Sequence, residues 1–267
     1  MEVELESLLL DRVSGASEIE RRLLSTVLSA DAVEVAKTLP ELPARLRSTF
    51  PQMANIEDLC REIESLESKS AGTNGDGAAA AFREVARRRL EAAAGSGARL
   101  SHVLSPLLPA GDLLVFTLSK SGTVSQVLED LAAEGRKLNV LVAESRPGAE
   151  GARMARELAE KGIRTRACDD LLLLSLVPAE ATPRRPAGYT GHPVVLVGAD
   201  AVHPDALVNK VGTRALLETA ERAGVPAFVL AVSSKLRDDA APRVLGSLFE
   251  SVPRAGIVVL TEKGRNN

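Results

Sequence analysis

The chain has 267 residues, 45% of them hydrophobic and 26% charged, with a formal net charge of -3. That length can bury a sizeable core, in one large domain or in a small domain beside a larger one. The mildly acidic balance and an aromatic content of 2%, with no Trp and Tyr189 alone, exclude a basic nucleic-acid groove and a base-stacking platform.

No apolar run approaches the length that spans a bilayer. The opening stretch, MEVELESLLLDR, is acidic and too short in its apolar part for a secretory leader. Cys60 and Cys168 lack metal-ligand spacing, and His102, His192 and His203 form no ligand pair. A cytoplasmic protein with reduced, buried thiols, no metal, no cofactor and no membrane partner is expected.

To about Lys69 the pattern is helical. Leu5, Leu8 and Leu9 repeat at helical spacing, and Ser17 with Glu20 reads as a capping box opening a helix from Glu18 to Ser29. Pro40, Pro43 and Pro51 punctuate turns. Ile56, Leu59, Cys60, Ile63 and Leu66 fall on one helical face. Ser70 to Gly77, SAGTNGDG, reads as a loop. Ala78 to Ala94 is helical by propensity, and its Arg87, Arg88 and Arg89 read as a solvated face.

From Gly111 the pattern alternates between strand and helix. The expected strands are Leu113–Thr117, Asn139–Val142, Ile163–Cys168, Val194–Val197, Ala227–Val232 and Gly256–Leu260. Helices follow the first two and close at Gly135 and Gly162. Asp169 and Asp170 precede the apolar run Leu171 to Val177, Pro178 to Pro193 reads as a loop, and Ala215–Gly224 as a helix. This predicts an α/β protein: a helical amino-terminal subdomain over residues 1–100, then a Rossmann-like, mostly parallel sheet over residues 101–267.

The stretch VVLVGADAVHPDALVNKVGT, Val194 to Thr213, carries the densest chemistry. Asp200 stands at a strand's carboxyl end, where open α/β sheets place ligands. After a loop come Asn209 and Lys210, then Gly212 and Thr213 at a helix start. A carboxylate, an ammonium and a helix amino terminus suit an anionic ligand. Asp200 is a candidate base. His203 reads either as a second acid or as a surface residue of the loop, and Lys210 either as an anion binder or as the partner that neutralises Asp200.

Four blocks at strand carboxyl ends, TLSKS, ESRPGAEGARMA, the pair Asp169 and Asp170, and GAD...NKVGT, resemble one superfamily. It joins the alpha, beta and delta subunits of translation initiation factor 2B with methylthioribose-1-phosphate isomerase and ribose-1,5-bisphosphate isomerase. The resemblance covers roughly Gly111 to Gly264, plus the loop VSGAS at Val13 to Ser17. It implies a ligand held between a helical and a Rossmann-like domain, and a homodimer or higher homo-oligomer assembled through the latter. It implies a catalytic role for Asp200, and places Ser119 where the isomerases carry a catalytic Cys. It implies ligand binding by Arg146, Asn209, Lys210, Gly15, Ala16 and Ser121.

The chain departs from the isomerase pattern in three places. A hydroxyl replaces the thiol at Ser119, Ser14 stands where the isomerases have Arg, and the segment from Asp200 to Asn209 is one residue short and lacks their Asn-Gly. The function implied is binding of a phosphorylated sugar or similar small phosphate ligand, with aldose–ketose isomerisation as its enzymatic form. The alternative is a non-catalytic regulatory or interaction subunit. A dinucleotide oxidoreductase is excluded, since no GxGxxG follows a strand.

Overall fold

The computed structural model describes residues 1–11, 14–51, 53–70, 76–178, 187–242 and 245–266. Val13 of the VSGAS loop, most of the Ser70–Gly77 stretch and residues 179–186 of the Pro178–Pro193 stretch lie outside the described residues. The chain forms two compact units, Met1–Gly95 and Ser96–Asn267.

The first unit consists of α1 (Glu2–Leu9), α2 (Ala16–Ser29), α3 (Ala32–Thr38), α4 (Leu42–Thr49), α5 (Ala54–Lys69) and α6 (Asp76–Ala94). Leu5, Ile19, Leu23, Leu46, Leu59, Ile63 and Phe82 are buried together in its core. Removing each such side chain from water contributes about 1.5–3 kcal/mol. Three local expectations change. Gly15, not Ser17, caps α2; the Ser17 hydroxyl is buried inside the helix without a partner, so no capping box forms. Glu20 turns instead towards Asn55 Nδ2 at 2.6 Å and Arg89 Nε at 2.7 Å. Arg87 and Arg88 are exposed, as a solvated face requires, but Arg89 is drawn inwards by Glu20 and by Glu62 at 3.1 Å. The third is that Asp76 and Gly77, read as loop, already belong to α6.

The second unit opens with α7 (Ser96–Leu104). It continues through β1 (Leu113–Leu118), α8 (Gly122–Ala133), β2 (Leu138–Ala143), α9 (Glu150–Glu160), β3 (Arg164–Cys168), α10 (Asp170–Leu176) and β4 (His192–Gly198). Then come β5 (Ala201–Val202), β6 (Ala206–Lys210), α11 (Thr213–Arg222), β7 (Ala227–Leu230), β8 (Phe249–Pro253), β9 (Val258–Thr261) and β10 (Gly264–Asn266). Helices α8 and α9 end just before Gly135 and Gly162, as expected.

Seven strands make one sheet in the order β10-β9-β7-β4-β1-β2-β3, parallel except for the edge strand β10. Along β1 and β4 the side chains alternate between two buried faces, which is why the strands read as unbroken apolar runs. Val115, Val194 and Leu196 face α7, α8 and α9; Phe116, Val195 and Val197 face α10 and α11. Strand order reverses between β1 and β4, so the crevice at their carboxyl ends is the topological switch point of the fold.

A second sheet, β5-β6-β8, is antiparallel and was not expected from the sequence. Its Val202, Leu207 and Val252 join the core on the α10–α11 side. Asn209 and Lys210, read as following a loop, therefore end a strand, paired with Glu250 and Phe249. His192 and Pro193, read as loop, begin β4.

Candidate functional site at the carboxyl edge of the parallel sheet

The turns leaving β1 and β2 are built alike. Ser119 and Ser145 both take the left-handed conformation, with φ of 58° and 59°. Such a backbone costs a non-glycine residue roughly 1–2 kcal/mol and persists only where neighbours fix it. Here the Ser119 N–H donates to Ser145 Oγ at 2.7 Å, and that hydroxyl reaches the Ala143 carbonyl at 3.3 Å. The Asp170 carboxylate, at the start of α10, accepts the N–H groups of Ser145 at 2.7 Å and Arg146 at 3.2 Å. The ends of β1, β2 and β3 are thus tied into one network. Ser121 caps α8 by accepting the Val124 N–H at 3.3 Å. Its hydroxyl lies so close over β4 that a Cβ on Gly198 would meet it at 2.4 Å.

Three lysines are buried around this edge, where Lys is tolerated only with partners. Lys210 pairs with Glu150, the first residue of α9, whose side chain is 2% exposed. Lys120 donates to Glu157 at 2.9 Å, and Lys235 donates to the Ala199 carbonyl at 2.6 Å. Burial alone would raise the Glu157 carboxyl, but hydrogen bonds from Lys120 and Arg153 hold it below the ordinary carboxylate range. Lys210 comes from the sheet on the α10–α11 side and Glu150 from the helix on the opposite face. Their ion pair therefore arches over the strand ends. The Phe249 ring lies 5.6 Å from the Lys210 ammonium and covers another of its sides. Asn209 Nδ2 donates to Thr213 Oγ1 at 2.8 Å, and that hydroxyl donates to the Lys210 carbonyl at 2.7 Å, tying β6 to the start of α11.

Among the residues singled out in the sequence, Ser119, Ser121, Asp200, Asn209 and Lys210 stand at this edge. Asp200 stands two residues beyond β4 and is half-buried; its N–H donates to Val208 O at 2.9 Å, extending the β5–β6 ladder at the end away from its turn. Lys210 neutralises Glu150, a residue the sequence did not single out. Arg146 is 70% exposed and bound through Nε alone to Glu144 at 2.9 Å, a neighbouring carboxylate on the same turn. Gly15 and Ala16 lie in the first unit, where the Ala16 carbonyl accepts Asn55 Nδ2 at 3.0 Å. His203 is not a surface residue: it is 6% exposed, with Nδ1 2.9 Å from the Asp239 carbonyl.

Sequence reasoning missed Ser145, Glu150, Lys120 and Lys235 as site residues. Glu150 carried only the signal of an acid in a first helical turn, which ordinary helix-dipole pairing also produces.

Among the described residues no three His, Cys, Asp or Glu side chains stand close enough to hold a metal ion, and no helix is long and apolar enough to cross a membrane. A cavity of about 380 Å³ opens at the opposite edge, at the amino ends of β7 and β9, between Leu217 and Glu218 of α11 and Pro253 and Ile257. Its lining includes none of Ser119, Ser121, Arg146, Asp200, Asn209 or Lys210.

A 3-2-1-4-type parallel sheet with charged groups gathered at its switch point defines a Rossmann-like α/β fold. The model of the Initiation factor 2 subunit family matches residues 12–253, and the chain belongs to that family. It is 27% identical over 242 residues to a translation initiation factor eIF-2B subunit 2-like protein of Pyrococcus furiosus, covering 86% of this chain and 77% of that protein. Over 142 residues it is 32% identical to a ribose 1,5-bisphosphate isomerase of Haloterrigena turkmenica, covering 53% of this chain and 39% of the isomerase. In fold it resembles the crystal structure of the Pyrococcus horikoshii translation initiation factor eIF-2B. The TM-score is 0.73 at 24% identity, over 98% of this chain and 94% of that one.

Proposed function

We propose that this chain binds a small phosphorylated sugar, or a ligand of similar chemistry, at the carboxyl edge of β1, β4 and β6, and senses it without turning it over. Asp200 would accept a sugar hydroxyl, and Lys210 with Asn209 would hold the phosphate near the start of α11. The observation that carries this reading is the absence of a usable thiol among the described groups of that edge. An aldose–ketose conversion needs one group to take a proton and another to return it. The position that resembles the isomerases' Cys holds Ser119, whose hydroxyl is far too weak an acid for that role. The one thiol near the edge, Cys168 at the end of β3, is buried; burial pushes it up to about 11, and its Sγ lies 3.8 Å from the Val142 carbonyl.

The isomerase reading draws on Asp200, a carboxylate at a strand end that could also serve as the base. Thermal-shift and turnover assays with ribose 1,5-bisphosphate and methylthioribose 1-phosphate separate the two, since a ligand of the folded state raises its stability. The expected result is stabilisation without ketose formation. Ketose formation by the unmodified chain would establish the isomerase reading, and no stabilisation by either compound would remove the sugar-phosphate site. A cytoplasmic location and assembly into a homodimer complete the reading.

A further inference from the structure

We infer that Glu150 is a resident anion, seated on Lys210 where an incoming phosphate would bind, so that the site is masked in the ligand-free protein. The inference rests on the reading of Lys210 as the phosphate-binding cation and adds how that cation is regulated.

Four observations place the carboxylate there by design of the backbone. Glu150 is 2% exposed and its Oε1 pairs with the Lys210 ammonium. Its Oε2 is buried and has no hydrogen-bond partner, which an ion pair kept for stability alone would avoid. A Cβ on Gly148 would come within 2.7 Å of the Glu150 carboxyl, so the glycine two residues earlier leaves room for it. A Cβ on Gly151 would lie 1.8 Å from the Ala143 carbonyl, so the first turn of α9 sits directly on the end of β2 and delivers the side chain over the edge.

The chemistry of the exchange is simple. An ammonium has three donors and no acceptor, and a carboxylate or a phosphate can fill the same place on it. The Phe249 ring covers another side of the ammonium, leaving the Glu150 side for an anion. A dianionic phosphate offers more charge and one more oxygen than Glu150. It competes for Lys210 by releasing a carboxylate with an unpaired oxygen, and that carboxylate gains a full hydration shell if α9's first turn opens.

Sulfate is the probe, because its charge is constant across the working pH range. Binding is measured by calorimetry at fixed ionic strength, balanced with chloride, for the unmodified chain, for Glu150→Gln and for Glu150→Ala. Both variants are expected to bind sulfate at least about tenfold tighter than the unmodified chain. They are also expected to melt earlier without sulfate and to regain stability with it beyond any gain of the unmodified chain. Adding Lys210→Met should cancel the tightening.

Folded variants that bind sulfate no tighter than the unmodified chain would overturn the inference. So would tightening that survives Lys210→Met, or failure of both variants to fold with or without sulfate, which would make the pair a structural brace. Ribose 1,5-bisphosphate distinguishes the two readings. If it binds the unmodified chain through Lys210 while Glu150→Gln changes nothing, masking fails and the sugar-phosphate reading stands. If sulfate tightens but no sugar phosphate binds, masking stands and that reading fails.

Discussion

The finest control of the edge is exercised by two side chains that touch backbone. Asp170 and Ser145 hold two left-handed serines in place, and each replaces contacts that glycine would have made unnecessary. Asp170→Ala would leave the Ser145 and Arg146 N–H groups without their acceptor, and Ser145→Ala would do the same to Ser119. Each is expected to cost about 1–2 kcal/mol in urea unfolding. Because both losses release the same turn, the double variant should cost clearly less than the sum. Strict additivity would show that the serines are fixed independently of one another.

At the scale of elements, the fold depends on how closely α9 meets β2. Gly151→Ala forces a methyl group into the Ala143 carbonyl, and neither backbone can yield without lifting the helix. A loss of roughly 3 kcal/mol or more in unfolding free energy is expected. A change below about 0.5 kcal/mol would mean that α9 is not seated as described. The same helix is tied to the β1–α8 turn through Lys120 and Glu157. The Glu157 carboxyl is held below its unfolded value, so the stability it contributes is present above the unfolded pKa and is lost as pH falls through the folded one. Between about pH 5 and pH 3 the unmodified chain should therefore lose more stability than Glu157→Gln, measured as parallel melting curves. Equal losses would place Glu157 outside the acid transition.

For the whole molecule, the family places the chain among proteins related to both initiation-factor subunits and sugar-phosphate isomerases. Fold membership alone does not choose between them; the choice made above rests on Ser119 and Cys168. A homodimer formed by the second unit is expected on the same family ground. Light scattering at micromolar concentration should give twice the 28.1 kDa chain mass. A monomer under those conditions removes the assembly.

What the sequence determined by itself was whatever short-range pattern encodes. Apolar runs of strand length, closed by helices ending near Gly135 and Gly162, specified a parallel sheet and the strand ends after which Ser119 and Asp200 stand. Ordered blocks at those ends specified the family. Only the tertiary structure decided which charge meets which. Lys210 and Glu150 are 60 positions apart and come from opposite faces of the sheet, so no local spacing could have paired them; the sequence offered Lys210 as an anion binder or as the partner of Asp200. The same holds for the small sheet. Strand β5 has two residues, too few to show alternation, and β6 pairs with β8 across the whole of α11 and β7. Periodicity fixes which way a side chain points along its own element. The partner at the end of a long, flexible charged side chain is set by packing between elements distant in sequence, and at this site that packing decides whether the cation is open or already filled.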